Sequence, residues 1–448
     1  MLDIGLISAV IFSRRLDCLS MHKNRRKWIC FGPMLPFVLP IFLMVSSCQE
    51  KTKVVDAFPD TSPTAEQLAS SPLCQFVRTL GTLPEGERDS VARQFVRNHP
   101  ATPLVESDRL AGFFWYGKAT NVSLNGDLQH GWTMPEPLER IACGESSFFF
   151  RVYQAPPDAR LDYVLSVDGK ETTDPRNPRV SPSYFAPHSE LAMPQFKPSL
   201  ARQLRQDVEH GTMEAMLFNS TNALVKPRTV KLYRPAGHDQ AAKLPCLYVY
   251  DGIEALEYMS YTNVLDNLIA DRRIKPLIVV FIEMAKEDMQ LFPGRFNLLA
   301  EAVCGELVPR IDGASHSSAL PSDRAITGIS VWGNLALTTA FTHPGVFSQA
   351  AGQSTTINEQ LIEVAGRFAG RGRDRAPLKI YLDVGNYDLG QGALNNHSFL
   401  RANELFVREL DHWNIPYIYR VYNDGHQWAN WRERTDAILG YFFPIAGS

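Results

Sequence analysis

The sequence predicts an α/β fold with a mostly parallel sheet, preceded by a small β-sandwich. In residues 205–448, apolar strand-like runs alternate with helical runs. This alternation is typical of right-handed βαβ units, whose helices cover both faces of a parallel sheet. Between about residues 107 and 187, short apolar runs are instead separated by turn residues such as Asn125–Gly126. That spacing favours short antiparallel strands packed as a sandwich.

The composition is ordinary for a globular protein. Of the 448 residues, 45% are hydrophobic and 21% are charged, and the formal net charge is −3. A charge balance this close to neutral provides no general attraction to nucleic acid. No nucleic-acid partner is therefore predicted, and the oligomeric state is left open.

Residues 1–48 are predicted to be a secretion signal. A basic cluster at positions 23–27 precedes an apolar run over residues 28–45, which three prolines interrupt. A basic region followed by a short apolar run indicates a signal peptide, and the prolines disfavour a membrane-spanning helix. The run ends in Val-Ser-Ser-Cys, which resembles a bacterial lipobox, so Cys48 is the expected lipidation site. The chain would then be an exported lipoprotein, periplasmic or attached to the outer membrane.

The segments after the signal change character twice before the α/β domain. Residues 49–64 are polar and rich in turn formers, so they are predicted to form a tether. Residues 65–200 are assigned to the first domain, which begins with a helical pattern broken at Pro84 and continues with the sandwich. A proline-rich connection then leads to residues 205–448.

Beyond residue 48, four cysteines remain, and none shows C-x-x-C spacing: Cys74, Cys143, Cys246 and Cys304. Neither a metal site nor any other cofactor is therefore predicted. An oxidising compartment would allow a Cys74–Cys143 disulfide. Unpaired buried thiols fit the same pattern equally well.

A sharp strand-to-helix turn is predicted at Ser330. An apolar run ends in Gly328–Ile329–Ser330, and a helix-forming run follows at once. A serine at such a bend is how an α/β-hydrolase exposes its nucleophile, normally within the pattern G-x-S-x-G. Here Trp332 occupies the place of the last glycine, and Gly333 comes one residue later. Trp332 must therefore point away from the strand, or the turn must be reshaped.

An acid and a base are expected where later strands end, because functional residues of parallel sheets follow the carboxyl ends of strands. Asp388 and His426 both follow predicted strands, and the order Ser, Asp, His is that of α/β-hydrolases. Ser330 needs a base to remove its proton, and an acid must orient that base. Asp383, inside a predicted strand, and Asp424, beside the histidine, are the rival acids.

Backbone N–H groups are the expected oxyanion donors. The hypothesis assigns Val331, directly after the nucleophile, together with Gly252 or Ile253 after an earlier strand. Preorganised donors of this kind are often the largest catalytic contribution. Backbone groups leave no side-chain signature, so this assignment depends on position alone.

Several stretches carry a resemblance to one family. They are residues 247–252 (LYVYDG), 306–309 (ELVP), 328–330 (GIS), 341–347 (FTHPGVF), 385–388 (GNYD) and 424–431 (DGHQWANW). Together they resemble the enterochelin (ferric enterobactin) esterases, in the esterase-D branch of the α/β-hydrolases. The resemblance implies Ser330 as nucleophile, Asp388 as acid and His426 as base. Trp332 departs from the family pattern and places the rate of catalysis in question.

The first domain carries a resemblance of its own. Residues 113–117 (FFWYG), 163–169 (YVLSVDG) and 174–178 (DPRNP) resemble the early-set immunoglobulin-like domain of those esterases. Similar domains resemble glycogen-binding-type modules, which precede feruloyl and acetyl-xylan esterases. The resemblance therefore extends from about residue 65 to residue 445.

The leading hypothesis is a serine esterase that acts on a siderophore-type ester. A ferric catecholate is anionic, and an arginine-rich loop could meet it: Arg367, Arg371, Arg373 and Arg375. Esters of polysaccharides, of the feruloyl or acetyl-xylan type, are the alternative. Trp428 and Trp431 near the histidine, with Trp332, are candidate substrate contacts, although they would also serve as packing residues. A third hypothesis is a binding lipoprotein with weak or no activity.

Overall fold

The computed structural model describes residues 58–445, with the exception of 184–185, 238–242 and 293–294. These residues belong to one compact unit, Asp56–Ser448. The predicted signal at 1–48, including Cys48, and most of the tether at 49–64 lie outside the described residues. Within the described part of the chain, no helix is both long and apolar enough to cross a membrane.

The first part of the described chain contains three helices followed by short strands. The helices are α1 (Ala65–Ser70), α2 (Pro72–Thr82) and α3 (Glu85–Asn98). The strands are β1 (Leu104–Val105), β2 (Leu110–Gly117), β3 (Val122–Gly126), β4 (Glu136–Pro137), β5 (Glu139–Cys143), β6 (Ser146–Gln154), β7 (Arg160–Val167), β8 (Lys170–Thr172), β9 (Val180–Ser181) and β10 (His188–Ala192). The break predicted at Pro84 separates α2 from α3.

The ten strands form two facing layers. One sheet has the order β1-β2-β6-β5, and the second is built around β7, which pairs with β3, β8 and β10. A shared apolar core fills the space between them, with Phe113 and Phe149 from the first sheet and Leu124 and Leu161 from the second. The sequence therefore correctly predicted a sandwich of short antiparallel strands. The relationship of this sandwich to immunoglobulin-like domains stays a prediction.

The helices α1–α3 cover the outer face of the first sheet. Leu73 and Val77 from α2 pack with Phe114 and Phe148, which point away from the sandwich core. Apolar residues on both faces of β2 and β6 explain why the aromatic runs in the sequence are continuous and do not alternate. Cys74 and Cys143 lie in this layer as free, buried thiols.

The second part of the chain alternates strands and helices. Its strands are β11 (Thr212–Phe218), β12 (Arg228–Arg234), β13 (Cys246–Tyr250), β14 (Ile278–Ile282), β15 (Arg324–Ile329), β16 (Gln349–Gln353), β17 (Lys379–Tyr387) and β18 (Tyr417–Gly425). Its helices are α4 (Gly252–Tyr258), α5 (Tyr261–Ala270), α6 (Phe296–Ala302), α7 (Val308–Ser315), α8 (Ser330–Thr342), α9 (Glu359–Ala369), α10 (Phe399–His412), α11 (Trp428–Trp431) and α12 (Thr435–Phe442).

The strands of this part form one sheet in the order β11-β12-β14-β13-β15-β16-β17-β18. Strands β11 and β12 are antiparallel to their neighbours, and the pairs from β14 to β18 are parallel. Alternate residues of β13 face opposite cores: Tyr248 lies in the core below α8 and α9, and Leu247 in the core below α5 and α12. The predicted α/β fold with a mostly parallel sheet is confirmed.

The sandwich and the α/β sheet are joined edge to edge. Strand β18 pairs in parallel with β7, where Asp424 lies opposite Arg160. Through this contact the second sandwich sheet continues the α/β sheet as a single 14-stranded sheet. No sequence pattern predicted this junction, because it depends on one pair of residues far apart in the chain.

Candidate active site

Ser330 stands at a strained turn between β15 and α8. Its φ is 54°, in the left-handed region, and it follows an extended Ile329. Non-glycine residues seldom adopt this conformation, and it is typical of functional sites in which the surrounding structure enforces it. Gly328 makes the turn possible, since a Cβ at this position would lie 2.2 Å from the carbonyl oxygen of Trp332.

Gly333, and not residue 332, lets the helix approach the sheet. A Cβ on Gly333 would lie 2.8 Å from Thr355 Oγ1 and 3.4 Å from the Cα of Gly352. Trp332 points the other way, is 9% exposed, and stacks on Phe296 with ring centroids 5.9 Å apart. Of the two alternatives that the sequence allowed, the structure shows the first, in which Trp332 points away from the strand. The glycine one residue later provides the close approach of helix and sheet.

Ser330, His426 and Asp388 form a continuous chain of hydrogen bonds. The Nε2 atom of His426 lies 3.0 Å from Ser330 Oγ, and its Nδ1 atom lies 2.6 Å from Asp388 Oδ1. The carboxylate can only accept, so we assign the proton to Nδ1, which leaves Nε2 to accept from the serine hydroxyl. The side chain of Asp388 is 1% exposed and that of His426 is 13% exposed.

The environment of Asp388 favours its ionised form. Burial alone would raise the pKa of this carboxyl, but the charge and hydrogen bond of His426 hold the pKa below its usual value. The Leu389 N–H donates to Oδ1 at 2.7 Å, and the nearby Ser354 hydroxyl also favours the lowered pKa. Ser354 in turn accepts from the indole N–H of Trp431 at 2.9 Å. A buried anion next to His426 is the group needed to stabilise an imidazolium.

The imidazole of His426 is held between two aromatic rings. Phe399 and Trp431 meet it edge to face, with centroids 4.9 Å and 4.8 Å away. Trp428 packs on Trp431 and is 8% exposed, whereas Trp431 is 4% exposed. All three tryptophans, Trp332 included, are thus buried against other side chains, and their role as substrate contacts stays a prediction.

The rival acids Asp383 and Asp424 share a different partner. The guanidinium of Arg434 donates to Asp383 Oδ1 at 2.6 Å and also contacts Asp424 Oδ1. Burial raises the pKa of both carboxyls, that of Asp424 to about 6, although Arg434 opposes this shift. Asp383 lies in β17 and Asp424 in β18, so Arg434 links the two strands that end directly before Asp388 and His426. Arg434 and Ser354 carried no sequence signal, since neither lies in a recognisable motif.

The backbone groups named as oxyanion donors lie at two helix N-termini. Val331 is in the first turn of α8, and Gly252 and Ile253 open α4. The N–H groups of a first turn have no acceptor within their own helix and carry partial positive charge. Gly252 packs directly on the sheet, because a Cβ there would lie 2.5 Å from the backbone nitrogen of Ile282.

Two of the four arginines proposed for an anionic substrate have partners elsewhere. Arg367 pairs with Glu363, and Arg375 donates to the carbonyl oxygens of Trp413 and Asn414. In the described ranges, no group of three or more His, Cys, Asp or Glu side chains is arranged to hold a metal ion.

Replacing Gly333 by alanine tests the packing of the elbow. Alanine in a helix is favoured over glycine by about 1 kcal/mol, but here its methyl group would press on Thr355, an overpacking that costs about 1–3 kcal/mol. We expect Gly333→Ala to lower the free energy of unfolding in urea. Gly313→Ala is the matched control, because Gly313 lies in α7 and a Cβ at that position would meet no atom within 4 Å. Equal stability of both variants would contradict this account of the elbow.

Comparison with known proteins agrees with the fold. Residues 221–442 match the esterase family model, described as "Putative esterase". The enterobactin esterase from Shigella flexneri superposes with a TM-score of 0.61 at 19% identity, over 78% of this chain and 97% of that one. The ferric enterobactin esterase from Salmonella typhimurium gives a TM-score of 0.63 at 17% identity, over 78% and 98%. At these identities the likeness concerns the fold, and it confirms the α/β-hydrolase architecture.

A curated relative is closer in sequence over a shorter region. An endo-1,4-beta-xylanase/feruloyl esterase from Xylanibacter ruminicola is 28% identical over 197 residues. The match covers 40% of this chain and 26% of the relative, so this chain spans about a quarter of that protein's length. With the family match, these findings lead to one conclusion: residues 221–442, just under half of the chain, are similar to this esterase family.

Proposed function

We propose that the protein is a serine carboxylic-ester hydrolase that works through an acyl-enzyme. The observation that carries the proposal is the pair of hydrogen bonds at His426, 3.0 Å to Ser330 and 2.6 Å to Asp388. A serine hydroxyl is a weak nucleophile until a base within hydrogen-bonding distance takes its proton. The strained backbone of Ser330 presents that hydroxyl at the end of the sheet.

In the proposed reaction, Ser330 Oγ attacks the ester carbonyl while His426 Nε2 takes the hydroxyl proton. The carbonyl oxygen becomes an anion, which the N–H of Val331 and that of Gly252 or Ile253 stabilise, each donor contributing about 3–4 kcal/mol. The imidazolium, stabilised by Asp388, then protonates the leaving alcohol. Water then attacks the acyl carbon while His426 Nε2 takes its proton, and the imidazolium returns that proton to Ser330 Oγ as the carboxylic acid leaves. Apart from the attacking water, every catalytic group belongs to the chain itself.

The proposed substrate is a siderophore-type ester, similar to enterochelin. Enterobactin esterases superpose on 78% of this chain, a larger share than the α/β domain alone would account for. The other two arginines of the arginine-rich loop, Arg371 and Arg373, are exposed but precede β17 at the amino end of the parallel sheet, opposite Ser330, so they lend this assignment no support. Feruloyl or acetyl esters of polysaccharide are the second candidate, favoured by the 28% identical relative.

Ser330→Ala tests the mechanism on a short p-nitrophenyl ester. Removal of the nucleophile should lower kcat at least about 10³-fold, since only binding and oxyanion stabilisation would remain. Ser348→Ala is a matched control. Ser348 is half-buried, donates to the carbonyl oxygen of Pro321, and precedes the amino end of β16, whereas the site lies at the carboxyl ends of the strands. Equal, background-level rates in wild type and Ser330→Ala would exclude the serine mechanism and favour a binding protein.

A substrate panel tests the substrate class. The wild-type protein would be assayed on a ferric tricatecholate trilactone, on feruloylated xylan and on acetylated xylan, with Ser330→Ala as background. The siderophore proposal predicts the highest kcat/KM on the trilactone, by at least about tenfold, or 1.4 kcal/mol of transition-state stabilisation. A higher kcat/KM on either xylan would replace it with the carbohydrate-ester alternative.

We also propose that the mature protein is anchored in the cell envelope through a lipid on Cys48. The proposal rests on the basic cluster, the apolar run and the lipobox-like ending of residues 1–48. Incorporation of labelled palmitate in a bacterial host should be lost in Cys48→Ser and retained in Cys30→Ser, where the cysteine lies within the apolar run. Labelling that persists in Cys48→Ser would argue against the anchor.

A further inference from the structure

We propose that the β-sandwich is a working part of the active site, because it positions both the base His426 and the acid Asp388. The inference rests on the proposed function, and it assigns Arg160, Asn430 and the loop of residues 127–133 as positioning elements. The sandwich contacts the residue before each of them and, on the acid side, Asp388 and Gly390 as well. It would thus set where the imidazole and the carboxylate stand, without contacting the substrate.

On the base side, a buried guanidinium holds the loop that carries His426. Arg160, the first residue of sandwich strand β7, is 1% exposed and donates to Asn430 Oδ1 at 2.6 Å. Asn430, also 1% exposed, donates from Nδ2 to the carbonyl oxygen of Gly425 at 2.9 Å. Because Arg160 has no acceptor, it fixes which end of the Asn430 amide faces Gly425. The residue before His426 is therefore bound, through one side chain, to the sandwich.

Arg160 is itself rigidly placed. Its guanidinium pairs with Asp162 at 2.9 Å and with Glu190 at 2.8 Å, and it also contacts Ser181. All three partners are sandwich residues. A buried arginine with this many acceptors has little freedom, so it can serve as a fixed point for the neighbouring α/β domain.

A second contact on the base side excludes movement toward the sandwich. A Cβ on Gly425 would lie 2.2 Å from the carboxyl carbon of Asp127, so the backbone at Gly425 and the side chain of Asp127 are in direct van der Waals contact. Asp127 is fully buried, and it accepts from the indole N–H of Trp132 at 2.6 Å and from the N–H of Asp162 at 2.7 Å. The carboxyl group thus forms a firm surface against which Gly425 rests.

On the acid side, the residue before Asp388 belongs to the sandwich core. Tyr387 is 2% exposed and packs in the same apolar cluster as Phe113 and Tyr163. The sandwich loop also touches Asp388 itself, since a Cβ on Gly131 would lie 2.4 Å from its carbonyl oxygen. Gly390 meets the loop from the other side, with His130 O 2.7 Å from a Cβ built there.

The nucleophile is held differently. The elbow contacts described above, with Gly352, Thr355 and Phe296, are all contacts within the α/β domain. A shift of the sandwich would therefore move the acid and base relative to a stationary Ser330. Misplacement of catalytic groups by about 1 Å can cost about 10²-fold in rate. The effect should appear in kcat, because no substrate contact is removed.

Asn430→Asp tests the base side in the full-length protein. Aspartate keeps the shape and still accepts from Arg160, but an oxygen would face the Gly425 carbonyl where an N–H donated. We expect kcat to fall about 10–100-fold with KM changed by less than about twofold. Asn267→Asp is the matched control, because Asn267 is 2% exposed and donates to the carbonyl oxygens of Ala201 and Gln203, both at 2.7 Å. Its kcat should match that of the wild type.

Gly131→Ala tests the acid side with a smaller change. Gly131 and Gly144 have similar backbones, with φ of 58° and 66°, so alanine strains both turns alike. Only at Gly131 would the new methyl group meet the Asp388 loop, whereas Gly144 has no atom within 4 Å of its Cβ position. We expect kcat to fall at least about fivefold in Gly131→Ala and to stay unchanged in Gly144→Ala.

The outcomes separate this inference from the proposed function. Unchanged kcat in both Asn430→Asp and Gly131→Ala, a rise in KM alone, or losses equal to the unfolded fraction would overturn the positioning role. If wild type shows no turnover that depends on Ser330, the proposed function fails, and the positioning role is read from the imidazole resonances of His426. Those resonances should then shift in Asn430→Asp and Gly131→Ala but not in their controls; unshifted resonances would overturn the inference.

Discussion

The architecture depends on one geometric requirement, that His426 reach Ser330 and Asp388 at the same time. The serine follows β15, the aspartate follows β17 and the histidine follows β18. These strands belong to the parallel part of the sheet, so their carboxyl ends lie along one edge. Parallel register brings three residues separated by up to 96 positions within hydrogen-bonding distance.

The register alone does not hold the side chains, and buried charges supply the remaining constraint. Arg434 joins Asp383 to Asp424, and Arg160 joins the sandwich to Asn430. Buried ion pairs add little net stability, but removal of one partner costs about 3–5 kcal/mol. The strands that carry the acid and the base can therefore move apart only by leaving such a charge uncompensated.

Local sequence patterns identified most of the elements and the residues of the site. Ser330, Asp388 and His426 were chosen because each follows an apolar strand, and the structure brings them into contact. Asp383 was recognised as a strand residue, and it is one. The roles of Trp428 and Trp431 were harder to predict, because a tryptophan near a catalytic loop looks the same in sequence whether it packs in the core or contacts a substrate. Both are buried against neighbouring rings, and a contact with substrate stays a prediction.

The sequence by itself determined the succession of strands and helices and the bend at Ser330, because periodicity and glycine placement are local properties. Tertiary structure alone decided that Gly333 allows the helix to approach the sheet and that Arg434 pairs with the rival acids. It also decided that the sandwich joins the sheet where Arg160 lies opposite Asp424. These contacts link residues distant in the chain, and their energies depend on burial and on distances that no local pattern encodes. The elbow at Ser330 could be predicted; the surroundings that hold its acid and base in place could not.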